Sequence, residues 1–463
     1  MMRLAETAAA LQAALQGADA QANGVSTDSR SVGRGELFVA LRGEKYDGHH
    51  FVGAAARVGA AGALVDAKFA AGSGAAAAGL PLIVVEDTLL ALGHLARWWR
   101  GRFSPVLIGI AGSNGKTTSK EMLASILRSA IGAEGVLATP GNLNNAIGLP
   151  LSLLRMRAGH RLCAIELGMN HPGEIAYLAD IARPTIALVT NSQREHLEFM
   201  GSVEEVAAEN GALYTALPAD GIAVINAEDA YAATFRSLAA ARRVVDFALD
   251  RAAALTGRYR LSSLSSEIRI ASPAGEAQAT LAIPGLHNVC NALAAAACAH
   301  SAGIQPQAIA EGLSAFRPYS GRLQVKRAAL GSVPGATVID DSYNANPDSV
   351  RAAIDVLAAS PGRSVLVLGD MGEVGEQGAD FHAEVGRYAR ERGVGAVLAL
   401  GESTAHTVAA YGQGARHFAT LEDLLDSLGR TLDPGTTVLV KGSRFMQMER
   451  VVAALTATPE EAH

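Results

Sequence analysis

Residues 106–123 read VLIGIAGSNGKTTSKEML. The near-continuous apolar run Val106–Ile110 has the make-up of a strand buried on both faces. It enters a glycine-bearing turn, Gly112-Ser113-Asn114-Gly115, and then Lys116, Thr117 and Thr118. Beyond them Met122, Leu123, Ile126 and Leu127 recur at helical spacing. Glycines let a backbone bend so that several N–H groups converge on one anion. The positive end of the new helix adds to the same spot. A lysine here reaches outer phosphates as a point charge, and a threonine hydroxyl suits Mg²⁺. Strict GxxxxGK[ST] spacing would need glycine at 110, where the chain has Ile110, so the loop is a compressed variant. An ordinary strand–turn–helix with a chance Gly-Lys is the bland alternative.

The 463-residue chain is long enough for two or three domains. With 49% hydrophobic and 18% charged residues it is globular with ample core. A net charge of −6 argues against nucleic acid as a partner, though it leaves room for a local phosphate pocket. Three scattered cysteines, Cys163, Cys290 and Cys298, make neither a disulfide framework nor a zinc site and read as core thiols. The N-terminal MMRLAETAAALQAALQ reads as an amphipathic helix and not a signal peptide. No apolar run is long enough to span a membrane, and the expectation is a soluble, cytoplasmic protein.

The chain divides into three α/β parts: 1–103, 104–318 and 319–463. In the first, strands are expected at Leu37–Leu41 and Leu82–Val85, with an alanine-rich AAGSGAAAAG as loose helix or loop. In the second, the apolar runs Val106–Ile110, Leu162–Glu166, Ile186–Thr190 and Ile222–Asn226 alternate with helical segments, which predicts βαβ units and a parallel sheet. The pattern restarts in the third part with Val338–Asp341, Val365–Leu368, Val397–Leu400 and Val438–Val440, a separate sheet.

Open α/β sheets bind ligands at the carboxyl ends of their strands. Glu166 ends one such strand and would hold Mg²⁺, or else make a cap or salt bridge. His196 in TNSQREHLE could be a metal or water ligand, but a lone histidine is as often structural. TPGNLNNAIGLPL sets Asn142, Asn144 and Asn145 before a helix, and GLHNVCNALAAA does the same with His287, Asn288 and Asn291. Caps explain such asparagines, as do amides reading a base, sugar or peptide. DDSYNANPDSV (340–350) and KGSRFMQMERVV (441–452) hold an acidic-amide run, Asp341, Tyr343, Asn344 and Asn346, and a basic pair, Lys441 and Arg444. The two would suit a ligand with ammonium and carboxylate ends.

Taken together, GSNGKTT, TPGNLNNAIGLPL, IELGM, NxxxxHLE, GxHNxxN, GRL, DDSYNANP, GDM and KGSR resemble the Mur ligase family over nearly the whole chain. The resemblance implies ATP-dependent amide-bond ligation in peptidoglycan precursor synthesis, through an acyl phosphate. It implies an N-terminal UDP-sugar-binding α/β domain, a central P-loop ATPase-like parallel sheet for ATP and Mg²⁺, and a C-terminal Rossmann-like α/β domain for the incoming peptide. The implied substrates are a UDP-N-acetylmuramoyl-tripeptide and D-alanyl-D-alanine, with the enzyme a monomer. Carried over by position, Gly112, Ser113, Asn114, Gly115, Lys116, Thr117 and Thr118 cradle the phosphates. Thr117, Glu166 and His196 serve the metals. Asn288 and Asn291 lie at the adenine or ribose, and Arg322, Asp341 and Tyr343 close over the nucleotide. Asn142 and Asn145, with Asn344, Lys441, Ser443 and Arg444, face the peptide substrates, and Ser29 and Arg30 face the uridine diphosphate.

One position departs from the family pattern. Where many members carry a lysine, carbamylated to bind a second Mg²⁺, the stretch Ala208–Leu213 has Asn210. An amide cannot be carbamylated and is a weak ligand for a hard cation, so no modified lysine is expected there. The other readings are a sister ligase of the superfamily (the ligase adding the third peptide residue, or a folylpolyglutamate synthase) and a nucleotide-dependent switch ATPase. A switch has no use for the C-terminal DDSYNANP and KGSR motifs.

Overall fold

A computed structural model describes residues 1–43, 46–72, 74, 79–329 and 335–457. Half of the alanine-rich stretch, positions 73 and 75–78, lies outside the described residues, as do Glu44 and Lys45. By packing, the chain forms two units, Met1–Gly109 with Glu134–Met169 and Glu174–Thr185, and Ile110–Ala133 with Asn170–Gly173 and Ile186–His463.

The first unit holds a five-stranded sheet in the order Ala14–Gln16, Leu82–Val85, Gly62–Asp66, Glu36–Val39, Gly24–Ser26. The last four run parallel, and Ala14–Gln16 adds an antiparallel edge. Phe38, Val52, Ala63, Val65 and Leu82 form its core. Helix Thr88–Arg100 starts where Asp87 accepts from the N–H groups of Leu89 and Leu90, at 2.7 and 2.9 Å. That cap satisfies two donors that the helix itself cannot. The N-terminal stretch differs from the single helix expected. Helix Leu4–Ala10 stops short, Gln12 turns to φ 53°, and residues 14–16 pair with Leu82–Val85. The sheet edge outweighs the local helical preference of these alanine- and leucine-rich residues. Strands Val136–Ala138 and Leu162–Glu166 lie parallel in the same unit.

The second unit carries two sheets. In one, Ile186–Val189, Ile222–Asn226, Arg243–Ala248 and Leu255–Leu261 run parallel in succession. Ser266–Ser272 and Gly275–Leu281 then extend it antiparallel. This antiparallel tail is not part of the βαβ alternation expected for 104–318. Its strands bury one face only: Ile268 and Ile270 point inward, while Arg269 points out to pair with Glu276. Helix Lys116–Ile131 buries Met122, Leu123, Ile126 and Leu127 completely.

The other sheet has the order Gln324–Arg327, Thr337–Asp341, Thr436–Lys441, Arg363–Gly369, Ala396–Leu400, Ala415–Phe418, parallel except at its first edge. Val338, Val365, Val367, Leu398, Val438 and Val440 fill one face. The register places Asp341 beside Lys441 and Lys441 beside Leu368. Topology thus gathers DDSYNANP, KGSR and GDM, which are far apart in sequence, at the carboxyl ends of three adjacent strands. No described helix is long and apolar enough to cross a membrane. The cysteines are free, and burial pushes the thiols of Cys163 and Cys290 up to about 12.

Candidate functional site

The loop at 112–115 can only be built with glycine at its ends. Gly112 has φ 124°, and a Cβ there would meet Thr190 Oγ1 at 2.2 Å. Gly115 has φ 82°, caps helix Lys116–Ile131, and would place a Cβ 2.2 Å from Asn291 Oδ1. Left-handed backbone and close packing both exclude a side chain.

The loop is held from outside by the segment that follows strand Ile186–Val189. Ser113 N–H donates to Asn191 O at 2.9 Å and Asn114 N–H to Asn191 Oδ1 at 2.9 Å. Gln193 N–H donates to Ser113 Oγ at 2.9 Å, and the Asn114 amide donates to Gln193 Oε1 at 2.7 Å. Thr190 Oγ1 and Asn191 Nδ2 both donate to Asn114 O, at 2.8 and 2.9 Å. Asn210 Oδ1 accepts the Gly112 N–H at 2.8 Å. Three loop N–H groups are therefore committed to protein oxygens. The first turn of the helix, Lys116 to Thr118, is left to face an anion, since N–H groups there have no partner within the helix.

Charge alternates around this turn. Lys116 Nζ donates to Gly112 O at 2.5 Å, to Ser113 O at 3.0 Å and to Glu195 Oε1 at 2.9 Å. His196 Nε2 lies 3.5 Å from Glu195 Oε1, and its Nδ1 lies 2.5 Å from Glu373 Oε2. Burial by itself would raise Glu195, but the Lys116 and His196 charges hold it below the usual carboxylate range. Burial by itself would lower His196, and its two carboxylate partners overcome that and raise it to about 9. Its bond to His196 lowers Glu373 in turn. His196 is thus a cation at neutral pH here, with left-handed backbone at φ 52°.

The remaining candidates fall into three groups. Asn288 and Asn291 are buried beneath the loop: Asn291 Nδ2 donates to Asn288 Oδ1 at 3.2 Å, and Ser119 Oγ donates to Asn291 Oδ1 at 3.3 Å. Neighbouring His287 is half-buried, and desolvation lowers it to about 4. Arg322 donates to the buried Thr117 hydroxyl at 3.3 Å and lies 4.1 Å over the Tyr343 ring. Arg444 sits 6.0 Å from the same ring and pairs with Glu449 at 2.7 Å. Lys441 is buried; it pairs with Asp341 at 2.6 Å and donates to Asn344 O at 2.9 Å. Ser443 Oγ accepts from Gly372 N–H at 2.8 Å and donates to Ala345 O at 3.1 Å, while the Asn344 side chain is exposed.

In the first unit, Glu166 is buried, takes the Asn144 amide at 2.8 Å and donates its N–H to Thr139 Oγ1 at 2.9 Å. Asn145 Oδ1 accepts from Gly148 N–H at 2.9 Å, just ahead of helix Gly148–Leu154, and Asn142 is exposed. Ser29 is half-buried and Arg30 exposed, in a turn where Arg30 pairs with Asp28 at 2.6 Å.

Sequence reasoning missed Asn191, Gln193 and Glu195, although all three stand in the TNSQREHLE stretch quoted for His196. The signal was available for Glu195: an acid in the segment following a buried strand, at the sheet's carboxyl edge, needs a cation if it is buried, and Lys116 was already assigned nearby chemistry.

The chain resembles known proteins along nearly its whole length. The family model described as Mur ligase middle domain matches residues 110–299. Models for the Mur ligase glutamate ligase domain and the Mur ligase family catalytic domain match 321–444 and 21–100. The chain is 40% identical over 449 residues to the UDP-N-acetylmuramoyl-tripeptide–D-alanyl-D-alanine ligase of Escherichia coli K12, covering 96% of each chain. It resembles a crystal structure of MurF from Acinetobacter baumannii with a TM-score of 0.87, at 32% identity and 97% coverage of both chains. It also resembles MurF from Thermotoga maritima in complex with ADP, with a TM-score of 0.79 at 26% identity, covering 93% of this chain and 96% of that one.

Proposed function

The chain belongs to the Mur ligase family, and on that premise we propose that it joins D-alanyl-D-alanine to UDP-N-acetylmuramoyl-tripeptide at the cost of one ATP. It is an ATP-dependent peptide ligase, working in the cytoplasm, where its nucleotide substrates are made. Residues 1–103 take the UDP-sugar, 104–318 the ATP and 319–463 the dipeptide. The observation that carries this reading is the glycine-ended loop, fixed by Asn191, Gln193 and Asn210, that holds the Lys116 ammonium at the N-terminus of its helix.

The reaction must bring a carboxylate to a phosphate, two anions, so positive charge has to be in place first. Lys116 supplies it. In the arrangement described, its charge is balanced by Glu195, and an arriving triphosphate takes over that role. Arg322, anchored on Thr117 and backed by the Tyr343 ring, adds a second cation at the same turn. The tripeptide carboxylate attacks the γ-phosphorus and ADP leaves. The dipeptide amine then attacks the acyl carbon of the acyl phosphate, and phosphate departs from the tetrahedral intermediate. Aligning three substrates removes an entropic barrier on the order of 7–11 kcal/mol in favourable cases.

The donor chemistry fits magnesium in part. The Thr117 hydroxyl is a hard oxygen donor of the kind it prefers, and the ion would supply charge shielding at the phosphates; Glu166, in the first unit, has the same donor chemistry. His196 fits less well, because it can bind a cation only after releasing the proton that Glu195 and Glu373 hold on it. Asn210 is engaged in fixing the loop through Gly112, so it acts here as a positioning group.

A substrate panel tests the proposal. Phosphate release should require both UDP-N-acetylmuramoyl-tripeptide and D-alanyl-D-alanine, and Lys116→Ala should abolish it. Release that is equal with the UDP-dipeptide and a single amino acid would move the chain to a sister ligase. Release without either substrate would make it an uncoupled ATPase.

A further inference from the structure

The segment that grips the phosphate loop is itself gripped from the other side. Between Gln193, bonded to Asn114 and Ser113, and Glu195, bonded to Lys116, stands Arg194. Its side chain turns away from the loop into the C-terminal sheet's helices. The guanidinium lies in a fork against Asp348, with Nη2 2.6 Å from Oδ1 and Nε 3.1 Å from Oδ2. The Arg194 backbone N–H donates to the same carboxylate at 3.0 Å. Its other edge reaches Glu384, with Nη1 2.7 Å from Oε2. The Phe381 ring, 5.1 Å from its Cζ, covers the plane. Arg351 donates to Glu384 Oε1 at 2.8 Å and orients that carboxylate.

The two acids stand on different helices, Asp348 on Pro347–Ala358 and Glu384 on Gly378–Glu391. Two residues before Asp348, Asn346 both caps its helix, accepting from Ser349 N–H at 2.8 Å, and donates across to Asn114 Oδ1 at 2.9 Å. One helix end therefore touches the phosphate loop twice: directly through Asn346 and, through Arg194, by the segment that shapes it. A single exposed ion pair would contribute little. A planar fork with two carboxylates, a backbone donor and an aromatic cover is a different object, since its geometry is fixed in several directions at once.

Resting on the ligase reading above, we infer that Arg194 is a positioning residue. It clamps the C-terminal sheet, with its dipeptide-facing strand ends, against the segment that shapes the phosphate loop, so that amine and activated acid meet in register. Its effect passes through Asp348, Glu384 and the loop.

The test uses the full chain with Arg194→Ala, Arg194→Lys, Asp348→Asn and the Arg194→Ala/Asp348→Asn double variant. A misplacement of the acceptor costs roughly 10²-fold at worst. Arg194→Ala should therefore lower kcat for ligation by about 10- to 100-fold and raise KM for D-alanyl-D-alanine, with ATP affinity at the wild-type value. Arg194→Lys keeps the charge without the fork and should fold as well as wild type, yet recover only part of kcat. Asp348→Asn combined with Arg194→Ala should be no worse than Arg194→Ala alone. Small-angle scattering without substrates should show a larger radius for Arg194→Ala. Wild-type kcat in either Arg194 variant, strictly additive losses, or an unchanged radius would overturn the clamp. Failure of the wild-type chain to ligate the dipeptide would instead overturn the ligase reading, and the radius would still report on the clamp.

Discussion

Two kinds of loop carry the assigned binding residues, and they are built in opposite ways. The phosphate loop at 112–118 is roofed, pinned and buried. Thr190, Asn191 and Asn210 hold its backbone, Gln193 holds its Ser113 and Asn114 side chains, and Asn291 packs beneath Gly115. The strand ends at Asp341 and Lys441 are of the same kind, an ion pair shut inside protein. The turn at 27–30 is the reverse: Arg30 is 89% exposed and bonds only within its own turn, to Asp28, which that guanidinium holds down at about 2. Pre-shaped loops suit chemistry in which charge must be in place before reaction. An exposed, self-contained turn suits a handle that its ligand orders on arrival.

If that contrast is right, changes to the pinned side should cost stability, and the largest cost should fall on the closed ion pair. Asp341→Ala leaves the Lys441 ammonium buried with only the Asn344 carbonyl. Breaking such a pair costs about 3–5 kcal/mol. The urea midpoint should fall accordingly, and Asp341→Ala/Lys441→Met should recover most of the loss. A double variant as weak as the single one would mean that Lys441 was never the reason. Gly115→Ala comes next, at about 3 kcal/mol, from a left-handed backbone plus overpacking against Asn291. ATP binding should disappear with it, and a companion Asn291→Ala should restore stability only in part, because the backbone strain remains. Full restoration would show that contact alone sets the cost.

The pinned elements were also the legible ones, for a physical reason. Strands buried on both faces must be apolar throughout, so Leu162–Glu166 and Ile222–Asn226 could be read to the residue. Glycines that need positive φ mark a turn locally, and Gly112 and Gly115 did so. What could not be read depends on partners distant in sequence. Ser266–Ser272 alternates, buries one face and hides among polar residues. Asn210 matters because its amide meets Gly112, 98 positions earlier. Arg194 looks like any solvated arginine until Asp348 and Glu384, 154 and 190 positions on, are brought to it. The short N-terminal helix was misjudged in length because a sheet edge, which no local window contains, claims its end.

The contrast can be sharpened with pH. His287 stands half-buried beside Asn288, and desolvation lowers it from its usual 6.5 to about 4. Above pH 6.5 both folded and unfolded states leave it uncharged, so it costs nothing. As pH falls below 6.5 the unfolded chain takes up a proton that the folded one refuses, and stability is lost until about pH 4. Between pH 7 and pH 5 the loss is about 2 kcal/mol. His287→Gln should flatten that part of the thermal-unfolding profile. An unchanged slope would mean that the ring is not the source.

The smallest expected effect on stability lies at the exposed turn. Arg30→Ala removes a side chain whose bonds, among the described residues, are to Asp28 two positions earlier and whose charge is bathed in solvent. Screening and side-chain entropy leave such a pair almost without consequence for folding. The unfolding temperature should stay at the wild-type value. The KM for UDP-N-acetylmuramoyl-tripeptide should nonetheless rise several-fold, with KM for ATP unchanged, because a guanidinium freed from Asp28 is well matched to a diphosphate. The two measurements have to separate. If folding weakens together with substrate binding, the turn is structural like the phosphate loop, and the difference in design between the two regions disappears. If neither moves, uridine diphosphate is held elsewhere in the first unit.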